Sequence, residues 1–525
     1  MLLDQKILNK LNEIGVALSK ERNITLLLEK ILISAKELTR ADGGTIYTIT
    51  PERTARFEIS MSDSLGFHLG GTSGVPIAFP ELQLFAKDGT FNDSLMVAYA
   101  VNHEKTINIK DAYHEQGFDF SSTRQFDAKT GYRTQSVLTI PMKNHEGEMI
   151  AVLQLINPEE EKSFSSEDEQ LAESLASQAG VALTNQLLIT NLRALFESLI
   201  RVIAEAIDEQ SPSTGNHSKR VPIIALLLAD AVNATQGGPL KDISFSKKEL
   251  YELEVAAFLH DCGKITTPVH LVEKQHKLEA IIDRIELVQA RFSALAEKTE
   301  KDLLLKKLQW FEIHHPREYA SSIEAFSLLD KEFHEKLKQF KKDQDFIQNC
   351  NEGKATITDA VRERLSNIAQ TSYSPNQPLL TPDELENLCI VKGNLTEKEK
   401  EIIKHHVVMT YRMLSQLYFP KELRLVPEIA SSHHERVDGK GYPRGLKKEE
   451  ILIQARILAI ADVFEALSSP DRPYKETLTL SHVLQIMQKM TDEGHLDPNL
   501  FAVFLKKKAY LPYARQYLTS EQIDI

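Results

Sequence analysis

The hydrophobic residues of the first 188 positions change their spacing along the chain, and each spacing predicts a different element. Residues 6–40 carry an apolar residue every three or four positions, which predicts amphipathic helix. Short β-rich segments bounded by turn residues follow at 44–50, 56–61, 106–109, 136–142 and 149–156. Acidic residues behind Ser166 then predict a helix start with Ser166 as its N-cap. Helix, antiparallel strands and helix together indicate an α+β domain over residues 1–188.

The helix leaving this domain keeps an apolar stripe from Leu171 to Ile203, with no glycine or proline after Gly180. Such a pattern is typical of a rigid connector that pairs with a second copy as a parallel coiled coil. We therefore expect a connecting helix over residues 189–208 and a homodimer. The alternative is one long helix buried in a core, which the pattern alone does not separate from a connector.

Beyond residue 208 the periodicity stays helical to the C-terminus, which indicates an all-α domain. Residues 280–390 differ, because dense charge lies between their helically spaced apolar residues. This stretch predicts an inserted helical arm, for which an antiparallel hairpin is one form. The insertion divides the all-α domain into a first part, 209–279, and a second part, 391–525. It could gate access to a site or mediate dimerisation.

Composition narrows the function without identifying it. The 525 residues include 62 Lys and Arg against 75 Asp and Glu, a net charge of −13, which argues against nucleic-acid polymers and membrane surfaces as partners. The 3 cysteines are too few for a disulfide framework, and the charged N-terminal helix does not resemble a signal peptide. We expect a soluble cytoplasmic protein. An acidic chain that handles an anionic substrate needs local cations or metals, and 17 histidines draw attention to metals.

Histidines and aspartates recur beside apolar helical segments. His260-Asp261 and Asp462 end such segments, His406 lies on a helical segment with Ile402 and Ile403, and His433-His434-Glu435 is a further cluster. A single buried histidine is more often a satisfied core group than a ligand. Several such groups are different, because apolar helices accept them only when something pairs them. Imidazole and carboxylate are common metal ligands, and one carboxylate can bridge two ions. The pattern therefore predicts a metal centre.

The same residues resemble a known family. His260-Asp261 with Lys264, His433-His434-Glu435 and the stretch from Asp438 to Leu446 are similar to the motifs of the HD-GYP family within the HD-domain superfamily. Other stretches also resemble the family and keep its order over residues 197–510; they are 392–396, 403–406, 455–462, 472–475 and 494–498.

The resemblance implies hydrolysis of cyclic di-GMP, a bacterial second messenger, at divalent metals that are commonly iron or manganese. It assigns one metal to His217, His260, Asp261 and Asp462. Asp261 would bridge to a second metal held by His406, His433 and His434. A hydroxide between the metals would attack phosphorus in line, with Asp261 and Lys264 as catalytic residues. Substrate contacts would come from Lys264, Gly441, Tyr442, Pro443, Arg472 and Lys475. A plain Gly-Pro turn is the alternative for Tyr442.

Some positions depart from the family pattern. Ser213 stands where members with three metals carry a glutamate, so we expect two metals, no third metal and a linear dinucleotide product. Thr410 replaces a glycine four residues after His406, and Glu465 replaces an aspartate after Asp462. The insertion also splits the short loop that precedes the His406 segment. Its own pair His314-His315 is expected to be solvated surface.

Residues 1–188 resemble a GAF domain of the kind found ahead of phosphodiesterases. The resemblance rests on a partial match to the family's Asn-Lys-Phe-Asp-Glu signature, in which Pro158 replaces the lysine. Candidate contacts to a small ligand are Arg133, Thr134, Asn157, Phe164, Asp168 and Glu169. No cysteine lies within 1–188, so a thioether-linked bilin is excluded. The alternative is a GAF domain that dimerises without a small ligand.

Two further functions remain open. The substrate could be a mixed cyclic GMP-AMP dinucleotide, because no residue pattern indicates which base is read. The chain could also be a signalling scaffold that binds nucleotide without turnover, although intact metal ligands argue against this function. The leading hypothesis is a cyclic di-GMP phosphodiesterase regulated through its GAF domain.

Overall fold

A computed structural model describes residues 2–159, 161–210, 216–313, 319–470 and 477–525, which form two compact units, 1–197 and 198–525. The first unit contains a sheet of seven antiparallel strands in the order β3-β2-β1-β7-β6-β5, with β4 also paired to β2. The strands are β1 (Ala41–Ile49), β2 (Thr54–Ser62), β3 (Phe67–Gly70), β4 (Leu82–Gln83), β5 (Ile107–Ile109), β6 (Val137–Lys143) and β7 (Met149–Pro158). The predicted α+β fold is confirmed.

The helices of the first unit surround this sheet. They are α1 (Leu2–Lys20), α2 (Ile24–Thr39), α3 (Met96–His103), α4 (Ser121–Thr130) and the first part of α5 (Ser166–Gln210). One face of the sheet packs against α1, α2 and α5 around buried side chains such as Ile31, Ile46 and Leu175. The opposite face packs against α3 through Tyr47, Val97 and Val152. Two apolar layers therefore enclose the sheet.

The helix α5 is continuous over 45 residues, so the expected domain end at residue 188 falls inside it. Its N-cap is Ser165 and not the predicted Ser166. The Ser165 hydroxyl accepts a hydrogen bond from the Asp168 amide at 3.2 Å, and the Asp168 carboxylate accepts the Ser165 amide at 2.9 Å. This reciprocal pair requires an acidic residue three positions after the N-cap, and Asp168 stands three positions after Ser165.

The second unit begins with the last part of α5, followed by α6 (His217–Asn233), α7 (Lys247–Leu259), a 3₁₀ turn (Cys262–Thr266) and α8 (Val269–Val272). The insertion follows as α9 (Ile285–Ile313), α10 (Tyr319–Asn351), α11 (Asp359–Ala369), a hairpin of β8 (Ser372–Ser374) and β9 (Gln377–Pro378), and α12 (Pro382–Leu388). Bonds from Gln289 to Gln348 and from Lys307 to Asp330 align α9 and α10 antiparallel. The base of the insertion has its own core around Phe292, and His314 and His315 lie outside the described residues.

The unit is completed by α13 (Glu397–Leu414), α14 (Val426–Ser431), α15 (Ile453–Ser468), α16 (Leu480–Asp492), α17 (Pro498–Lys506) and α18 (Leu511–Tyr517). A short 3₁₀ turn spans Lys421–Leu423. Buried apolar faces of α6, α7 and α15 meet in the interior, where Leu228, Leu253 and Ile457 are fully buried. In the described part of the chain, no helix combines the length and apolar content needed to cross a bilayer.

Candidate metal centre

Five separate elements bring histidines and aspartates to one place in the second unit. His217 begins α6, His260 and Asp261 follow α7, and Asp462 lies within α15. The other contributions come from α13, through His406, and from the residues just after α14, His433 and His434. The helices α7, α14 and α15 are themselves apolar and buried, so they carry these polar groups into the protein interior. The expectation that Asp462 lies at a helix end is wrong, because α15 continues to Ser468.

Asp261 lies between two groups of histidines, and its two oxygens face different groups. Its Oδ2 is 3.7 Å from Nε2 of His217 and 3.4 Å from Nε2 of His260. Its Oδ1 is 3.3 Å from Nε2 of His406 and 3.9 Å from Nε2 of His433. A carboxylate in this position can join two metal ions.

Three sets of three residues have ligand atoms within 4.8 Å of one another and could each hold an ion. One of them, His260, Asp261 and His433, overlaps the two sets that lie on either side of Asp261. The first of these two sets is His217, His260 and Asp462, and the other is His406, His433 and His434. In the first set, Nε2 of His217 is 3.2 Å from Oδ1 of Asp462. Asp261 stands between these two sets, so the structure brings the sequence-predicted ligands together at one place.

Hydrogen bonds fix the tautomer of three of these histidines. Nδ1 of His260 bonds to the Ala257 carbonyl at 2.7 Å, and Nδ1 of His433 bonds to the Ala430 carbonyl at 2.6 Å. His406 makes the same bond to the carbonyl three residues before it, at 2.5 Å. A carbonyl accepts only a protonated nitrogen, so in the neutral form of each ring Nε2 carries the lone pair that a metal binds.

The inward-facing atoms lack hydrogen-bond partners within the described part of the chain. These buried atoms are Nε2 of His260, His406 and His433, and Oδ1 of Asp261. Unpaired polar atoms in an interior are costly, and four of them facing one point are explained when metal ions bind there. The residues present therefore fit divalent metal binding.

The pKa shifts of four of these groups suit metal binding. Burial lowers the pKa of His433 well below its usual range and that of His434 to about 4, so both are neutral imidazoles. Burial acts to raise the pKa of Asp261 and Asp462, but Lys264 and the histidines beside them outweigh it and hold both pKa values well below normal. His217 differs: burial opposes its charge, yet the carboxylates bonded to its ring raise its pKa to about 10, so a metal that binds Nε2 of His217 must displace a proton.

Glu465 holds His217 in place, a role that the sequence analysis missed. Its Oε2 accepts a hydrogen bond from Nδ1 of His217 at 2.5 Å, and its Oε1 pairs with Nε of Arg220 at 2.8 Å. Glu465 lies three residues after Asp462 on α15, so both face the same side of the helix. That spacing was the available signal, and a carboxylate behind a ligating histidine is a common support.

The loop after His434 is fixed by Glu435. This buried carboxylate accepts the Arg444 amide at 2.8 Å and the Leu446 amide at 2.9 Å. Two backbone amides on one carboxylate close the loop against the helix end. The loop thus has a defined position beside the histidines.

Within this loop, Gly441 and Tyr442 occupy constrained positions. A Cβ on Gly441 would lie 2.3 Å from the backbone nitrogen of Arg436, so only glycine fits. The Tyr442 ring, which precedes Pro443, lies 4.8 Å from the His434 ring at an interplanar angle of 30°. The tyrosine therefore borders the centre and packs on a candidate ligand.

Of the predicted cationic substrate contacts, the structure describes one. Lys264 lies in the turn after Asp261, and its ammonium bonds to the Asp261 carboxylate. Its side chain is 30% exposed, so it faces both the centre and solvent. Arg472 and Lys475 lie outside the described residues, as does Ser213.

The predicted GAF ligand residues are engaged in contacts within the chain. Asn157 accepts the amides of Gln135 and Ser136 at 2.8 and 3.1 Å and donates to the carbonyl of Arg133 at 2.7 Å. The Arg133 side chain is 54% exposed, and its guanidinium lies 4.6 Å from the Tyr113 ring centroid. Asn157 therefore joins two backbone segments beside the sheet.

The other four candidates also have internal partners. Thr134 donates both its amide and its hydroxyl to Asp127, at 2.7 and 3.0 Å. Phe164 is buried in the sheet core, and Asp168 caps α5. Glu169 accepts a bond from Asn108 at 3.0 Å. These contacts give each residue a place in the fold.

Comparison with known proteins assigns both units. A model described as GAF domain matches residues 23–183, and two models described as HD domain match 214–359 and 378–500. The chain thus combines a GAF domain with an HD domain that is interrupted by an insertion. The motifs around Asp261 and Tyr442 resemble those of the HD-GYP type of HD domain.

Three curated relatives each match about a quarter of the chain. The chain is 40% identical over 121 residues to "Cyclic di-GMP phosphodiesterase" of Thermotoga maritima, covering 23% of this chain and 32% of that protein. It is 40% identical over 128 residues to "3'3'-cGAMP-specific phosphodiesterase 1" of Vibrio cholerae, covering 24% and 28%. It is 36% identical over 134 residues to a cyclic di-GMP phosphodiesterase of Pseudomonas aeruginosa, covering 26% and 30%. The matched segments span about a third of these relatives or less.

Proposed function

We propose that the protein hydrolyses one phosphodiester bond of cyclic di-GMP at a pair of divalent cations, iron or manganese. The observation that carries this proposal is Asp261 between two sets of histidines, with an oxygen facing each set. One ion would be held by His217, His260, Asp261 and Asp462, and the other by Asp261, His406, His433 and His434. The family relationship supplies the substrate, since relatives 36% and 40% identical over the matched region carry its name.

The protein groups around the centre have distinct roles in this proposal. When bound, the metals supply an activated water and neutralise charge on the phosphate oxygens. Lys264 orients the scissile phosphate, and Tyr442 borders the nucleotide beside His434. Arg472 and Lys475 bind further phosphate oxygens. Water adds across one P–O bond, the departing ribose oxygen takes a proton, and a linear dinucleotide results.

The test uses full-length protein prepared without oxygen and loaded with Mn(II) or Fe(II). Chromatography of cyclic di-GMP after incubation should show the linear dinucleotide. Asp261→Asn should reduce turnover to background, because a neutral amide cannot join two cations. Asp359→Asn is the matched control, since the Asp359 side chain is fully exposed on α11, and it should retain activity. Metal-loaded protein that leaves cyclic di-GMP intact would refute the proposal.

Cyclic GMP-AMP is the second candidate substrate, favoured by the Vibrio cholerae relative that is 40% identical over 128 residues. Competitive turnover of both dinucleotides in one reaction distinguishes them, and we expect preference for cyclic di-GMP. The scaffold alternative would instead give nucleotide binding with no metal in the protein by elemental analysis.

We further propose that the chain dimerises through α5 and that the GAF domain regulates hydrolysis along this helix. Leu188, Leu195 and Val202 recur every seven residues, as do Leu192 and Leu199, and all five are exposed. This alternation of three- and four-residue steps is typical of a two-stranded coiled coil. Sedimentation should give a dimer for the wild type and a monomer for the double variant Leu192→Glu, Leu199→Glu.

The control for this experiment is Arg193→Glu, which changes an exposed position on the same helix away from the repeat. It should leave the dimer intact. A monomeric wild-type protein, or a dimer that survives both glutamates, would contradict pairing through α5.

A further inference from the structure

Thr410 occupies a buried position between the two halves of the metal centre. It lies on α13, four residues after His406, and is fully buried. Its hydroxyl donates to the His260 carbonyl at 3.1 Å and accepts the Gly263 amide at 3.0 Å. The single hydroxyl of Thr410 therefore makes two hydrogen bonds to the turn that carries Asp261, one as donor and one as acceptor.

The two backbones come unusually close at this point. A Cβ built on Gly263 would lie 2.0 Å from the His406 carbonyl oxygen and 2.5 Å from the Thr410 nitrogen. Only glycine permits such an approach. The turn after α7 is therefore in direct contact with the backbone of the residue that supplies a candidate ligand from α13.

These contacts fix the distance between the turn that carries Asp261 and the helix that carries His406. His260 and Asp261 belong to the turn, whereas His406 belongs to α13, and Oδ1 of Asp261 lies 3.3 Å from Nε2 of His406. Ligands set from two independent segments need a shared support, because small displacements weaken metal binding. Thr410 is the side chain that bonds the first segment to the second at this point.

We propose that Thr410 is a positioning residue that sets the separation between the two halves of the metal centre. Its catalytic importance rests on the proposed function, but its effect on metal binding does not. The sequence at this position departs from the family's glycine, which has no hydroxyl to make either bond. This chain therefore uses a side-chain link where the resemblance alone predicts none.

The experiment compares Thr410→Val, which keeps the shape and loses the hydroxyl, with Thr410→Ser, which keeps the hydroxyl. Manganese affinity is measured by equilibrium dialysis with elemental analysis, and amide exchange is followed at Gly263 by NMR or mass spectrometry. Loss of a support behind metal ligands costs about 10- to 100-fold in affinity, so we expect that loss in the valine variant. We expect faster exchange at Gly263 in the same variant, and rescue of both properties by serine.

Thr491→Val is the matched control. Thr491 is also buried, and its hydroxyl donates to the Met487 carbonyl at 2.8 Å, but it lies on α16 outside the candidate ligand set. This variant should keep wild-type manganese affinity and Gly263 exchange, which separates a general loss of a buried hydroxyl from a local effect.

The proposal is overturned if the valine variant binds manganese with wild-type affinity, or if serine does not rescue a defect in valine. If Thr410→Val does not fold, amide exchange in the wild-type protein and the serine variant still tests the proposal. Rapid exchange of the Gly263 amide in the wild-type protein would contradict its hydrogen bond to the Thr410 hydroxyl. Failure of the proposed function is recognised separately, as wild-type protein that binds manganese and does not cleave cyclic di-GMP.

Discussion

A buried lysine at the base of the insertion allows a quantitative prediction. The Lys274 ammonium is fully buried and bonds to both carboxylate oxygens of Glu399, at 2.8 and 2.9 Å. It also bonds to Asn387 on α12 at 2.8 Å. Glu399 lies in the first turn of α13, the helix that carries His406. One ammonium thus joins the chain entering the insertion, the chain leaving it and a ligand-bearing helix.

Removing this ammonium should be costly. Breaking a buried ion pair by loss of one partner costs about 3–5 kcal/mol, and because Glu399 is 19% exposed we reduce this to about 2–4 kcal/mol for Lys274→Met. With a urea dependence of about 2 kcal/mol per molar, the unfolding midpoint should fall by roughly 1–2 M. Trp310 is the single tryptophan of the chain and lies on α9, so its fluorescence follows the insertion.

The double variant Lys274→Met, Glu399→Gln separates the pair from its surroundings. Glu399→Gln should lower the free energy of unfolding less in the Lys274→Met background than in the wild type. The difference is the coupling energy between the two sites, which we expect to be about 1–3 kcal/mol. Additive effects of the two substitutions, or a wild-type midpoint for Lys274→Met, would refute the reasoning that this pair holds the base of the insertion.

Three further predictions follow from neighbouring contacts. Burial acts to raise the pKa of Glu399, but its hydrogen bonds and lysine partner lower it below 4.5. The wild-type protein should therefore be more stable than Glu399→Gln at neutral pH, and this advantage should be lost as pH falls through the lowered pKa. Urea titrations of both proteins at several pH values measure the difference. Asp208→Ala removes the carboxylate that accepts the Ser218 amide and hydroxyl, so the unfolding free energy should fall by about 1 kcal/mol and that amide should exchange faster. Glu465→Gln should weaken manganese binding about 10- to 100-fold in dialysis, because the support of His217 loses its charge.

The sequence was sufficient for the parts of the fold that depend on local pattern. The spacing around 149–156 predicted β7, and the stripe through Leu195 predicted a long helix. Local pattern did not indicate the short β8–β9 hairpin within the insertion, because strands of two or three residues carry little periodicity. The cap at Ser165 was missed by one residue, since serines at both positions offer the same side chain.

In the candidate site too, some features could be predicted from local sequence pattern and others could not. Histidines and aspartates beside apolar helical segments pointed to a metal centre, because such groups are costly in an interior without a partner. The residues that hold these groups in position could not be predicted in the same way. Glu465 bonds to His217 across 248 positions, and Thr410 bonds to Gly263 across 147. Contacts between residues so distant in sequence depend on tertiary packing, which no local pattern reports.

The role of the GAF candidates could not be read from sequence for a related reason. Asn157 belongs to the signature and Thr134 precedes the central strand, but neither fact says whether a polar side chain bonds to a ligand or to the backbone. The structure gives both residues internal hydrogen bonds. A ligand role for them stays a prediction, and binding of cyclic nucleotides to the wild-type protein is its test.

The central claim is that Asp261 joins two cations that hydrolyse a cyclic dinucleotide. The most direct measurement is the metal content and the reaction product of the same preparations of wild type and Asp261→Asn. We predict about two manganese ions per wild-type chain with linear dinucleotide as product, and fewer ions with no product in the variant. Full metal content and undiminished cleavage in Asp261→Asn would contradict the account.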